Sequence, residues 1–169
     1  MKLTAKDIAI NGIIAAIYVV LTLLTYPFSF LGLQIRLAEM MVLLCFFRKN
    51  YILGLTTGCA IANLFSSIGI IDVAFGTLAT FLSCLCICFC KHLLGACIFP
   101  ILFNSGIIGL ELYFFANEGG ANSFWLFAVE VLIGELIAIT LGYVLFQILK
   151  RNTRFLKLIR AKQNLDFKV

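Results

Sequence analysis

The run SFWLFAVEVLIGELIAITLGYVLFQIL, Ser123 to Leu149, carries no basic residue and only two acids, Glu130 and Glu135, before it stops at Lys150 and Arg151. A bilayer-spanning helix needs roughly 20 predominantly apolar residues. This stretch meets that length, and the segments before it read the same way. Leu93 to Ala116 is apolar but interrupted by Pro100, and Asp72 to Cys90 and Tyr51 to Gly69 are two further runs. A shorter run starts near Arg36 and ends before Arg48-Lys49, and the first extends from Ile8 to Tyr26. Pro27 stops that first run because proline has no backbone N–H to continue a helix. The expectation is an all-α integral membrane protein: a compact bundle of six transmembrane helices over residues 1–149, followed by a basic tail, residues 150–169.

Composition supports this. The chain is 63% hydrophobic and 12% charged, against about 45–50% apolar and 25% charged in soluble domains. Six spans with short connections consume the 169 residues, which excludes a soluble enzyme with a hidden catalytic domain. Sustained alternation, the mark of a β-barrel, is lacking. The N-terminal Met1-Lys2-Leu3-Thr4-Ala5-Lys6-Asp7 resembles the basic region of a signal peptide, but no small-residue cleavage site follows its apolar run, so it reads as a retained first helix.

Basic residues give the orientation. Lys2, Lys6, Arg48, Lys49, Lys91, Lys150, Arg151, Arg154, Lys157, Arg160, Lys162 and Lys168 all fall at the termini or in even-numbered connections. The other connections, Pro27 to Ile35, Ile70-Ile71 and Asn117 to Asn122, contain neither lysine nor arginine. Positive loops stay in the cytoplasm, so both termini are expected there. The stretch from Lys150 to Lys162, basic with Phe155, Leu156, Leu158 and Ile159 interleaved, suits a short helix lying on anionic membrane lipid. A nucleic-acid partner is not expected, since the positive-inside rule already accounts for the charge.

Against that background the polar residues inside apolar runs stand out: Arg36, Glu39, Asn63, Asp72, Asn104, Glu111, Glu130 and Glu135. Each is costly in hydrocarbon and therefore a candidate for function. Arg36 and Glu39, three apart, share a helix face and either form a local ion pair or leave Glu39 to hold ligand. Asp72 begins a helix, where a carboxylate caps free amides. Glu130 and Glu135 are five apart and point in different directions, which argues against an acid–base dyad. Acids outnumber the one buried arginine, so a ligand with positive charge and hydrogen-bond donors suits the arrangement.

Other chemistry finds little support. Seven cysteines, Cys45, Cys59, Cys84, Cys86, Cys88, Cys90 and Cys97, lie inside apolar runs and read as reduced, packed thiols. Alternate helical residues face nearly opposite ways, so the Cys84 to Cys90 run lacks the tetrahedral geometry of a metal site. No metal and no cofactor is expected. A membrane enzyme or assembly protein using those thiols would need a polar setting that activates them. His92 beside Lys91 reads as an interfacial residue. Small residues four apart, as in Gly12/Ala16, Gly54/Gly58/Ala62 and Gly134/Ala138/Gly142, allow helices to approach closely.

One block is more specific. Gly58-Cys59-Ala60-Ile61-Ala62-Asn63-Leu64, followed by Asp72-Val73-Ala74-Phe75-Gly76-Thr77-Leu78-Ala79-Thr80, resembles the signature of QueT proteins. The likeness continues in Ala15 to Thr22, in Gln34-Ile35-Arg36-Leu37-Ala38-Glu39 and in Gly134-Glu135-Leu136. The resemblance implies a substrate-binding subunit of an energy-coupling-factor transporter in a prokaryotic plasma membrane. Such subunits join a shared transmembrane scaffold (EcfT-like) and two cytoplasmic ATPases, whose ATP hydrolysis drives toppling and release. The implied cargo is a queuosine precursor, the 7-deazaguanine bearing an aminomethyl group. Its amine favours a carboxylate, and its guanine edge offers N–H donors that acids or amides accept. Arg36, Glu39, Asn63, Asp72, Asn104, Glu111 and Glu135 form the pool of site residues. Trp125 either stacks on the flat ring or anchors the helix at the membrane interface. The docking contact such subunits make through the first helix corresponds to Gly12 and Ala16, with Ala5 and Ala9 a turn or so earlier. A stand-alone proton-coupled secondary transporter for a cationic or purine-like metabolite is the alternative.

Overall fold

The computed structural model describes residues 4–30, 35–116 and 123–159, and every regular element among them is helical. Expectations about Gln34, the connection Asn117 to Asn122 and the tail beyond Ile159 fall outside those residues. Helix α1 (Ala5–Leu24) opens on a capping box in which Thr4 Oγ1 accepts from the Asp7 amide at 3.3 Å and Asp7 Oδ2 accepts from the Thr4 amide at 3.1 Å. This satisfies amides that a helix start leaves bare and carries the helix three residues ahead of the apolar run. A single turn, α2 (Tyr26–Phe30), follows at Pro27.

The second apolar run is a 3₁₀ segment, Leu37–Leu43, passing into α3 (Leu44–Phe47). Seven residues is long for a 3₁₀ helix, whose hydrogen bonds are poorer than those of an α-helix. The third, α4 (Tyr51–Asn63), ends well short of the expected Gly69. Turns fill residues 64–69, and Gly69 with φ of 69° leads into α5 (Ile70–Ile87). A left-handed φ is open to glycine at little cost. The fifth run splits into α6 (Leu93–Ala96) and α7 (Ile98–Glu111), with a π-helical segment Leu112–Ala116 behind it. The break falls at Cys97 rather than at Pro100 itself: proline cannot bond the carbonyl of Ala96 and clashes with it, so the helix restarts with Pro100 in its first turn. Helix α8 (Phe124–Leu149) is the longest, and α9 (Thr153–Leu158) closes the described chain.

Four helical stretches are long and apolar enough to cross a bilayer: Ala5–Leu24, Ile70–Ile87, Leu93–Phe115 and Phe124–Leu149. Leu37–Phe47 and Tyr51–Asn63 are shorter. At about 1.5 Å per residue they fall short of a hydrocarbon core about 30 Å thick. The molecule is a membrane helical bundle whose outer surface carries the large aliphatic side chains, among them Ile13, Ile17 and Val20 of α1 and Leu141, Val144 and Ile148 of α8.

Packing follows an arc, α1 on α4, α4 on α5, α5 on α7 and α7 on α8. The 3₁₀ segment fills its centre, contacting α8, α1, α5 and α4. Its Ala38, Val42 and Leu43 are fully buried. Glycines set the closest approaches. A Cβ at Gly54 would come within 2.6 Å of the Asn11 carbonyl, one at Gly58 within 2.9 Å of Tyr18 Cβ, and one at Gly142 within 2.7 Å of Met40 Cβ. At the opposite end from the Asn63–Asp72 turn, Arg48 Nη2 lies 2.7 Å from Asp7 Oδ1, and Asn11 Oδ1 accepts from the Gly54 amide at 2.8 Å. That bond ties the start of α4 to α1.

The described start of the tail packs back on the bundle: Phe155, Leu156 and Ile159 are half-buried against its core, Phe155 against the rings of Phe47 and Phe146, and the Tyr51 hydroxyl donates to the Ile159 carbonyl. Leu158 remains exposed.

Candidate functional site

The buried polar residues come from helices along the whole arc and from the 3₁₀ segment at its centre. Glu39 sits in the first turn of the 3₁₀ segment and is 1% exposed. Its Oε1 accepts from the Tyr18 hydroxyl of α1 and from Thr80 Oγ1 of α5, the latter at 3.0 Å. Thr80 also lies 3.2 Å from Cys59 Sγ. With one proton given to the carboxylate, its oxygen accepts from the thiol. Of the two alternatives for Arg36 and Glu39, the local ion pair does not form. Arg36 precedes the 3₁₀ segment with extended-like backbone, and its Nη2 reaches Asp72 Oδ1 on α5 at 3.6 Å. An i, i+3 pairing presumes α-helical geometry, which the chain adopts at neither residue.

Asp72 does not cap its helix either. The N-cap is Gly69, with no side-chain capping bond, and Asp72 is the third residue of α5. Turning inward to a buried guanidinium in low dielectric outweighs an amide contact worth about 1 kcal/mol. Asn63, the last residue of α4, donates from Nδ2 to the Asp72 carbonyl at 3.0 Å and to Cys59 Sγ at 3.4 Å.

On the far side of the arc, Asn104 of α7 donates to Glu135 Oε1 of α8 at 2.8 Å. Glu111 ends α7 where the helix loosens into its π segment, and it is fully buried. Such π segments recur at functional sites. Helix α5 packs on α7, and α8 packs on the 3₁₀ segment. The two halves therefore form one cluster: four carboxylates, two amides and one guanidinium, from the 3₁₀ region, α4, α5, α7 and α8.

Within it, Glu39 Oε2, Asn63 Oδ1, Asp72 Oδ1, both oxygens of Glu111, and Glu135 Oε2 are buried without a hydrogen-bond partner. All six are acceptors. Buried polar atoms are normally satisfied, and ionised carboxylates in an apolar surround are strongly unfavourable unless matched by positive charge and donors. Chemically, these bare oxygens call for N–H donors or positive charge.

Of the remaining predicted residues, Trp125 is 73% exposed at the start of α8, edge-on to Phe124, away from the buried cluster. Ala9, Gly12 and Ala16 share the exposed side of α1, and nothing lies within 4 Å of a Cβ placed at Gly12. Glu130 is half-buried and outside the cluster's bonding network. The cysteines are thiols, and among the described residues no group of three or more His, Cys, Asp or Glu side chains is placed to hold a metal ion. An apolar groove of about 540 Å³ between α6, α7 and α8, lined by Leu94, Ile98, Ile101 and Leu136, carries none of the cluster residues. Tyr18, Thr80, Cys59 and Gly76 were not singled out from sequence. All four lie in the blocks that carry the family resemblance, which was the available signal.

A helical membrane bundle with acids gathered at its centre belongs to the class of membrane proteins that handle polar solutes. Within that class the chain belongs to the QueT transporter family, whose model matches residues 8–151. A curated relative, the queuosine precursor transporter QueT of Lactococcus lactis subsp. cremoris, is 40% identical over 81 residues. That alignment covers 47% of this chain and 47% of the relative, so the chain spans about half the length of the curated relative it matches. No solved structure matches the chain.

Proposed function

We propose that this chain is the substrate-binding subunit of an energy-coupling-factor transporter that imports 7-aminomethyl-7-deazaguanine, the queuosine precursor. The six buried acceptor atoms without a hydrogen-bond partner carry the reading. The cargo has an ammonium group and several N–H donors and would satisfy them together, each charge-assisted bond being roughly twice as strong as a neutral one. The relative's name, queuosine precursor transporter, supports the same cargo class.

In this reading the chain crosses the prokaryotic plasma membrane six times with both termini cytoplasmic, the two short segments counting as membrane-buried passes. Residues 1–149 form the binding domain, and the basic tail lies on the inner side. Ala9, Gly12 and Ala16 dock the EcfT-like scaffold, which carries two cytoplasmic ATPases. Titration of the purified protein with the deazaguanine tests the cargo: submicromolar binding is expected, and heat-silent or millimolar-only binding rejects it. Uptake should require the scaffold and ATPases.

One observation favours a second reading. Both Glu111 oxygens lack partners, which suits a carboxylate that carries a proton in a stand-alone secondary transporter. Uptake that persists without any coexpressed ATPase and collapses with the proton gradient would select it.

A further inference from the structure

A carboxamide is two-faced: its oxygen accepts and its nitrogen donates, so an Asn in a binding site reads either kind of ligand group unless something holds it. Asn63 is held. Its Nδ2 has two acceptors, the Asp72 carbonyl at 3.0 Å and Cys59 Sγ at 3.4 Å. Both need an N–H, which sets the sense of the amide and leaves Oδ1 without a partner. The carbonyl of Asp72 belongs to the interior of α5, and the residue one turn on is Gly76. A Cβ at Gly76 would overlap Asn63 Nδ2 and lie 3.1 Å from Asp72 Oδ1. The Asp72 carboxylate could give way by a few tenths of an ångström, but the amide could not stay.

We infer that Gly76 is a positioning residue: the absence of its side chain lets the Asn63 amide nitrogen dock on α5, so that Asn63 offers the cargo only its oxygen. Glycine inside a helix otherwise disfavours it relative to alanine, and here the missing methyl has a use. The consequence for specificity lies at Asn63: its fixed oxygen, like the bare oxygens of Glu39, Asp72, Glu111 and Glu135, favours an N–H group of the cargo at that point, where a carbonyl would set lone pair against lone pair. This inference rests on the proposed cargo for its binding test but not for its structural one.

The test is a double-mutant cycle. Affinity for 7-aminomethyl-7-deazaguanine is measured for the wild type, Gly76→Ala, Asn63→Ala and the double variant. Each single change is expected to weaken binding at least tenfold, and the double variant to bind within twofold of Asn63→Ala alone, because the methyl acts only through the amide. Wild-type affinity in Gly76→Ala, or losses that multiply in the double variant, would overturn the inference. Should the wild type not bind this compound, the cargo reading falls, and the inference is decided without ligand by ¹⁵N-asparagine NMR. An Asn63 side-chain NH₂ protected from exchange in the wild type and unprotected in Gly76→Ala supports it; equal exchange in both rejects it.

Discussion

Glu39 shows how one carboxylate is divided between structure and function. One oxygen takes the Tyr18 and Thr80 hydroxyls, and the other is left bare. The two donors hold the side chain in a single orientation, so Tyr18→Phe should act on affinity without touching cargo. Hydrogen bonds to charged groups contribute about 1.5–3 kcal/mol, and calorimetric titration should register a loss of tenfold or more. Glu39→Gln and Asn63→Ala should each weaken binding more than tenfold, about 1.4 kcal/mol or greater, and unchanged affinity would remove either from the pocket. Glu39 and Asn63 were legible in sequence because a polar residue in an apolar run is conspicuous. Their partners were not, since tyrosine, threonine and cysteine are ordinary in membrane helices and only the folded chain brings Tyr18, Cys59 and Thr80 to one point.

At the scale of elements, the seam between α1 and α4 is tightly packed at Gly54 and Gly58. Gly58 admits no side chain without displacing Ala15 and Tyr18. Overpacking of this kind costs typically 1–3 kcal/mol. Gly58→Leu should therefore lower the thermal midpoint in detergent and also weaken cargo binding, because Tyr18 carries one of the bonds to Glu39; a lowered midpoint with wild-type affinity would separate the two roles. The four-residue spacing of Gly54 and Gly58 announced this seam from sequence. Hydropathy could not announce the 3₁₀ segment: it reports burial, not the number of residues per turn, and Leu37–Leu43 reads as apolar helix under either geometry. The early end of α4 escaped for a related reason, since residues 64–69 remain apolar enough to extend the pattern while Asn63 is already committed to α5.

For the whole molecule, the exposed small-residue face of α1 leaves a surface that a partner helix could approach closely. Gly12→Leu should leave cargo affinity unchanged and abolish co-purification with the scaffold subunit; intact co-purification would place the contact elsewhere. Hydropathy and charge made the membrane bundle readable in advance, because the solvent imposes itself on every residue, whereas the convergence of the acids depends on how the arc closes and had no linear signature. The acceptors come from the 3₁₀ segment, α4, α5, α7 and α8, and Glu39 is steadied by α1. No single helix supplies the cluster. Grafting one helix from a relative with different tastes would not transfer its preference, and chimaeras should inherit recognition only when the entire polar centre travels as a unit.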